Sequence, residues 1–183
     1  MRSKWNTLVP ALLFLAAVAA AARPAAGGAA PSPASLIGKP APGFTVATVK
    51  GDRVDLKQTL DEGKVVVLNF WGLRCGACLA EIPVLNAMQE KFAGRARFLG
   101  VNVDGVDAKF LEKQMAAGQI AIRYDTVTDA DFTLIELYRM NAAPYTVVID
   151  PGGTIRYQHE DYKPGDEKEL EKAIEDAFPR KTQ

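Results

Sequence analysis

The sequence predicts one α/β domain over residues 36–183, in which helices cover both faces of a mixed central sheet. Three observations support this prediction. Apolar runs of strand length alternate with helical patterns in the first half of the domain, as in a βαβ unit. Two strand patterns joined by a glycine-containing turn, and then a helix, end the chain and add antiparallel strands to the sheet. An N-terminal β-hairpin precedes both halves.

The first half is predicted to contain six elements. They are a hairpin over 44–56, a short turn or helix over 58–62, a strand over 64–70, a helix over 77–92, a strand over 97–103 and a helix over 108–117. Alternating apolar positions on both sides of Lys50-Gly51-Asp52 predict the hairpin. A continuous valine-rich run predicts that 64–70 is a buried central strand. An apolar stripe at helical spacing predicts the helix over 77–92.

The second half is predicted to end in a strand hairpin and a helix. Its elements are a short extended segment over 120–124, a helix over 131–139, a strand over 145–150, a strand over 154–158 and a helix over 166–178. Asp129 or Asp131 is expected to cap the helix over 131–139, because a carboxylate at a helix N-terminus accepts hydrogen bonds from free backbone N–H groups.

Residues 1–22 have the layout of a secretory signal peptide. Arg2 and Lys4 precede an uncharged apolar run over 8–22 that ends on three alanines. An uncleaved membrane anchor is the alternative, although the run is shorter than the roughly 20 apolar residues that span a bilayer comfortably. Residues 23–35, rich in Ala, Pro and Gly, are predicted to form a flexible linker. We therefore expect a periplasmic or other extracytoplasmic location.

Composition excludes several classes of partner. The chain carries 22 basic and 22 acidic side chains, so it lacks the basic surface that nucleic-acid binding requires. A zinc site would need more ligands than two cysteines and the single histidine, His159, and we predict neither a metal nor a cofactor. We expect a monomer.

Cys75 and Cys78 form a Cys-X-X-Cys pair between a buried strand and the start of a helix. A helix N-terminus presents free N–H groups and the positive end of the helix dipole, which favour a thiolate over a thiol. Cys75 is therefore the candidate attacking nucleophile, and Cys78, one turn further on, the candidate resolving thiol. The predicted chemistry is thiol–disulfide exchange. An inert structural disulfide is an alternative, but so short a loop contributes little stability. A hydrolase using His159 is another.

The positions around the cysteines form a combined motif. They are Asn69-Phe70-Trp71, Cys75, Cys78, Glu81, Pro83, the segment Pro144-Tyr-Thr-Val-Val-Ile-Asp150 and the turn Gly152-Gly153. Together they resemble thioredoxin-like proteins of the bacterial TlpA and ResA type. The resemblance covers about residues 36–178 and implies a thioredoxin-like fold with an N-terminal β-hairpin extension.

The resemblance also implies roles for residues beside the cysteines. It implies a cis peptide bond between Ala143 and Pro144, where the Ala143 backbone would pair with an extended substrate beside Cys75. An ordinary turn proline is the alternative. Trp71 is expected either to border Cys75 as a substrate platform or to pack in the core. Glu81 is expected to relay a proton or to raise a thiol pKa, the alternative being a glutamate favoured only by the helix dipole.

Two features, at Arg74 and at Gly76-Ala77, depart from relatives of this type, whereas Asn69 differs only from cytosolic thioredoxins. Asn69 stands where cytosolic thioredoxins carry a buried aspartate, which makes Glu81 the candidate replacement. Arg74 replaces an aromatic residue and should favour a thiolate at Cys75. Gly76-Ala77 lacks the proline common between the cysteines, so no potential can be transferred from a relative.

The resemblance implies an extracytoplasmic protein disulfide reductase that uses the Cys75–Cys78 couple. Its substrates would be oxidised envelope proteins, apocytochrome c among them, and a membrane thiol donor would keep the couple reduced. A disulfide oxidase or isomerase is the alternative within the same chemistry. Two alternatives come from other classes: a thiol peroxidase, which would want a hydroxyl residue where Gly72 stands, and a Cu(I)-binding module using both thiolates.

Overall fold

A five-stranded mixed sheet organises the protein, for which a computed structural model describes residues 35–179. The predicted signal peptide over 1–22, and all but the last residue of the predicted linker over 23–35, lie outside the described residues. Across 35–179, no helix has the length and the apolarity needed to cross a membrane.

Strands and helices alternate along the described part of the chain. In order they are β1 (Thr45–Ala47), β2 (Arg53–Asp55), α1 (Leu56–Asp61), β3 (Val65–Trp71), α2 (Gly76–Lys91), β4 (Ala96–Asn102), α3 (Ala108–Ala117), β5 (Asp125–Thr128), α4 (Thr133–Tyr138), β6 (Tyr145–Ile149), β7 (Ile155–Glu160) and α5 (Glu167–Ala177). The main sheet has the order β5-β4-β3-β6-β7. Strands β3, β4 and β5 are parallel, whereas β6 is antiparallel to β3 and β7 is antiparallel to β6. The predicted mixed sheet is therefore confirmed.

The predicted N-terminal hairpin is present and lies against the β5 edge of the main sheet. Strands β1 and β2 pair antiparallel. Just beyond β1, Thr48 forms an isolated bridge with Val127 of β5, and the Val49 N–H donates a hydrogen bond to the Thr126 carbonyl oxygen at 2.8 Å. The hairpin therefore covers part of an edge whose N–H and C=O groups would otherwise be open to pairing.

The alternation of side chains along β3 divides its residues between the two faces of the sheet. Val66 and Phe70 pack in an apolar cluster with residues of α1 and α4. Val65 and Val67 pack in a second cluster with residues of α2 and α5. Asn69 shares the second face, so this buried polar residue lies beneath α2, the helix that follows the first cysteine.

The segment over 120–124, predicted to be extended, forms no strand, and strand β5 begins after it, at Asp125. Ile122 and Tyr124 lie in this connection and pack into the cluster beneath α2 and α5. Strand β5 itself has the sequence Asp-Thr-Val-Thr and lacks an apolar run. Its conformation depends on pairing with β4, a long-range contact that local patterning does not reveal.

The prediction that Asp129 or Asp131 is the N-cap residue is wrong, because α4 begins at Thr133 with Phe132 as its N-cap, yet both carboxylates hydrogen-bond to the start of the helix. The carboxylate of Asp129 accepts from the Leu134 N–H at 2.9 Å and from the Ile135 N–H at 2.8 Å. Asp131 accepts from the Thr133 N–H at 3.2 Å. These bonds satisfy backbone donors that a helix start leaves free.

Candidate active site

Cys75 and Cys78 lie where the connection after β3 enters α2. Cys75 is the N-cap residue, with an extended backbone (φ −91°, ψ 104°), and the helix continues for 16 residues after it. The Cys78 N–H donates to Cys75 Sγ at 3.1 Å. Negative charge on this sulfur is therefore stabilised by a free backbone N–H and by the positive end of the helix dipole.

The two sulfurs form a disulfide, 2.08 Å apart, and differ in burial. Cys78 is 1% exposed and packs with Trp71, Ile82 and Leu111. Cys75 is only partly buried. A sulfur approaching from solvent therefore reaches Cys75 first, which is the asymmetry that an attacking and a resolving cysteine require.

Ala143 and Pro144 lie beside the accessible sulfur. The peptide bond between them is cis, as the resemblance implies. The Ala143 carbonyl oxygen is 3.6 Å from Cys75 Sγ. Within residues 35–179, the Ala143 N–H forms no backbone hydrogen bond. The carbonyl group of Ala143 is thus next to the more accessible sulfur.

Trp71 is a core residue, so the platform role that was one of its two expected roles is not supported. The side chain is 0% exposed and packs against Cys78. Gly100 of β4 has no side chain, and a Cβ atom there would lie only 3.2 Å from the Trp71 indole Nε1. The absence of this Cβ lets the indole pack against β4. Trp71 therefore supports the buried sulfur from inside the domain and has no surface to offer a substrate.

Glu81 is a buried carboxylic acid, 4% exposed, three residues beyond Cys78 on α2. Asn69 Nδ2 donates to Oε2 at 2.9 Å, and the Thr146 hydroxyl donates to Oε1 at 3.1 Å. Burial raises the pKa of Glu81 to about 7, although both hydrogen bonds oppose the rise and the negative charge of Asp166 adds to it. Glu81 can therefore gain and lose a proton near neutral pH.

Thr146 and His159 line the site; sequence reasoning did not select Thr146 and considered His159 only for a zinc site or a hydrolase. Thr146 of β6 stands opposite both Asn69 of β3 and His159 of β7. Directly opposite residues share a sheet face, so these three residues form a line beneath α2, here called the polar row. The pairing of Thr146 with His159 cannot be predicted by counting residues from the β6–β7 turn, because a register shift interrupts the pairing of these two strands.

Asn102 and Asp104 anchor the loop before Cys75, and sequence reasoning missed both. Asp104 Oδ2 accepts from the Leu73 N–H at 2.8 Å and from Asn102 Nδ2 at 2.6 Å. The Asn102 amide also donates to the Trp71 carbonyl oxygen at 3.4 Å. The sequence signal for them was that Asn102 and Asp104 lie at the end of β4 and just beyond it. Because β4 is parallel to β3, its end lies at the same edge of the sheet as the loop before Cys75.

The N–H groups at the start of α2 contribute more than Arg74 to stabilising a thiolate at Cys75. Arg74, which was expected to favour a thiolate at Cys75, is exposed. Water and salt screen an exposed guanidinium, so its influence is smaller than that of the N–H groups of α2. Across residues 35–179, no three His, Cys, Asp or Glu side chains are grouped so as to hold a metal ion.

Comparison with known sequences gives consistent relatives. The AhpC/TSA family matches residues 37–158. The thiol-disulfide oxidoreductase ResA of Bacillus cereus is 32% identical over 123 residues, which cover 65% of this chain and 66% of that protein, just under two thirds of its length. The thiol:disulfide interchange protein DsbE of Pseudomonas fluorescens biotype C is 34% identical over 153 residues, covering 84% of this chain and 83% of that protein.

Comparison with solved structures confirms the thioredoxin-like fold and the predicted resemblance. A candidate thiol:disulfide interchange protein DsbE from Chlorobium tepidum has a TM-score of 0.70 and 31% identity, and the match covers 79% of this chain and 100% of that one. StoA from Bacillus subtilis has a TM-score of 0.59 over 76% of this chain and 98% of its own. At 16% identity, StoA bears on the fold alone.

Proposed function

The chain belongs to the AhpC/TSA family, and from this premise we propose that it is a thiol-disulfide oxidoreductase that works as an extracytoplasmic protein disulfide reductase. One observation carries the proposal: a partly exposed sulfur caps a 16-residue helix, and its buried partner sulfur lies behind it on that helix. A disulfide that only stabilised the fold would gain little from so short a loop. Relatives named thiol-disulfide oxidoreductase and thiol:disulfide interchange protein support the same chemistry.

The reaction begins with the reduced couple. The Cys75 thiolate attacks one sulfur of a substrate disulfide, and a mixed disulfide forms as the first substrate thiolate leaves. Cys78 then passes its proton to the Glu81 carboxylate and attacks Cys75 Sγ, which releases the second substrate thiolate. Two electrons move from the two cysteines of this chain to the substrate, and both substrate thiolates take up protons from solvent.

Ala143 is proposed to position the substrate, because its carbonyl oxygen lies 3.6 Å from Cys75 Sγ and its N–H forms no backbone hydrogen bond within residues 35–179. An extended peptide that pairs with this backbone would bring its disulfide to the exposed sulfur without any contact specific to a side chain. The substrates are proposed to be oxidised proteins of the cell envelope, apocytochrome c among them, and a membrane thiol donor would reduce the couple again. The signal-peptide pattern of residues 1–22 supports the location.

Trapping the mixed disulfide tests this function. Cys78→Ser should accumulate a covalent complex between Cys75 and a disulfide-containing protein, because the resolving thiol is gone. Cys75→Ser is the matched control and should trap nothing, since Cys78 is 1% exposed. Non-reducing gels and mass spectrometry would measure the complex. Equal trapping by both variants, or by neither, would contradict the proposal.

The alternatives predict other outcomes in the same samples. A thiol peroxidase would consume hydrogen peroxide at a rate that needs no protein disulfide, and a Cu(I) module would hold copper through both thiolates with little exchange. A disulfide oxidase or isomerase would give the same trapped complex, so the direction of exchange needs a measurement of the reduction potential.

A further inference from the structure

Glu81 needs a route by which its proton reaches solvent, and its hydrogen-bond partners do not supply one. Asn69 donates to both Glu81 and Thr146, and Thr146 donates to Glu81. An amide and a hydroxyl hold the carboxylate in place, but neither group titrates near neutral pH. Glu81 as a whole is only 4% exposed. A group that cycles its proton in each reaction must therefore exchange it elsewhere.

A small cavity adjoins Glu81 on the side of β7 and α5. Its walls include Glu81, Thr146, His159, Tyr162, Asp166 and Glu167. The volume is about 10 Å³, which is close to the minimum that holds one water molecule. Val84, Tyr157 and Leu170 complete the walls, which therefore combine apolar side chains with the polar ones. One water in this space would join the carboxylate to the groups on the far wall.

His159 and Asp166 form the far wall, where the cavity meets the surface. His159 Nε2 lies 3.4 Å from Asp166 Oδ2, and their side chains are 36% and 32% exposed. His159 ends the polar row, since it stands opposite Thr146 at the edge of the sheet. Asp166 is fixed at the start of α5, where it accepts from the Lys163 N–H at 2.8 Å. The pair thus faces the cavity and solvent together.

We propose that His159, oriented by Asp166, is the exit through which the Glu81 proton reaches solvent, by way of one water in the cavity. This inference rests on the proposed function. When Glu81 is protonated, the proton passes to the water, the water gives a proton to the imidazole, and the imidazolium releases one to solvent. The free carboxylate can then accept the Cys78 proton. No electrons move in this step, and His159 acts as a proton relay that does not contact the substrate.

The other ionisable groups around Glu81 do not compete for this role. Burial raises the pKa values of Tyr157 and Tyr124 well above the usual range, and the pKa of Tyr162 is raised as well, so all three stay protonated. Hydrogen bonds from backbone N–H groups lower the pKa of Glu167, which stays ionised. An imidazole is the side chain suited to taking up and releasing protons near neutral pH.

The test separates the two steps of exchange in the reduced full-length chain. Mixing it with a small aromatic disulfide that releases a coloured thiolate gives a first phase from Cys75 and a second from Cys78. His159→Ala should leave the first phase unchanged and slow the second at least about tenfold near pH 6, where much of Glu81 is protonated, but only slightly near pH 8. Free imidazole should restore the rate, because the substitution leaves space for it.

Two variants make the result specific. Glu81→Gln should slow the second phase at both pH values. Imidazole should not restore its rate, because no carboxylate remains to accept and release a proton. Lys168→Gln removes an exposed charge from α5 outside the cavity and should behave like the unsubstituted chain. The proposed exit would be contradicted if the second phase of His159→Ala were as fast as that of the unsubstituted chain near pH 6. Slowing that is equal at both pH values and indifferent to imidazole would overturn it too. If the unsubstituted chain releases no coloured thiolate, the proposed function fails instead.

Discussion

The two faces of the central sheet have different contents. On the face covered by α1 and α4, Phe70 packs against Tyr138 and Tyr145, with ring centroids 5.8 Å and 5.6 Å away, in an apolar cluster. On the face covered by α2 and α5, the polar row passes beneath the helix that carries Cys78 and Glu81. The first face stabilises the fold through apolar burial. The second face contributes less stability, because it buries an ionisable group beside a reactive sulfur.

The raised pKa of Glu81 makes the stability of the second face depend on pH. A carboxyl with a pKa raised to about 7 binds its proton more tightly in the folded chain than in the unfolded chain. The stability that it contributes is therefore fully present below the ordinary value of 4.5 and is lost as the pH rises through about 7. Among residues 35–179, the apolar cluster around Phe70 contains no carboxyl or imidazole side chain.

The largest effect on stability is expected from the apolar face. Phe70→Ala should lower the free energy of unfolding by about 3–5 kcal/mol, because a fully buried ring is removed from contact with two other rings. The loss should be the same near pH 5 and near pH 8. Denaturant titration of the oxidised chain at both pH values measures it. A loss that changes strongly with pH would show that the two faces are not independent.

A smaller effect of opposite sign is expected from the polar face. Glu81→Gln should raise stability by under about 1 kcal/mol near pH 5 and by about 3 kcal/mol near pH 8, at about 1.4 kcal/mol for each pH unit between 4.5 and 7. Glutamine keeps the shape and can still hydrogen-bond to Asn69 and Thr146. The same titrations provide the data. A difference between variant and parent that is constant with pH would contradict the burial of an ionisable Glu81.

The smallest of these effects is expected at the edge of the sheet. Asp104→Ala should cost about 1 kcal/mol, since it removes the acceptor for the Leu73 N–H in a partly solvated loop. Asp104→Asn retains an acceptor oxygen and is the matched control. Because this loop leads into Cys75, the alanine variant should also slow the first phase of exchange, whereas Phe70→Ala should not. An unchanged first phase would mean that Asp104 anchors the loop without affecting the sulfur.

The apolar face and the cysteine position could be predicted because both depend on local patterns. The valine-rich run before Cys75 indicates a buried strand whatever its neighbours are. The helix over 108–117 likewise has the bounds that its apolar spacing predicts. Glu81 could be selected because its spacing from Cys78 is fixed by the helix itself.

The polar row and the loop anchor could not be predicted, because they depend on contacts between distant strands. Thr146 meets Asn69 only through the antiparallel pairing of β6 with β3, and His159 is added across a ladder with a register shift. Asp104 meets Leu73 across the parallel pair β3 and β4. Trp71 was left between two roles for the same reason, since its burial depends on the space above Gly100.

The reduction potential of the Cys75–Cys78 couple tests the central claim most directly. The full-length chain would be equilibrated in thiol–disulfide buffers of graded composition, and the oxidised fraction would be determined after acid quenching and thiol labelling. A protein disulfide reductase should have a potential near the thioredoxin end of the range, at about −270 mV. A potential near about −120 mV would make the couple an oxidant and would contradict the proposed direction of exchange.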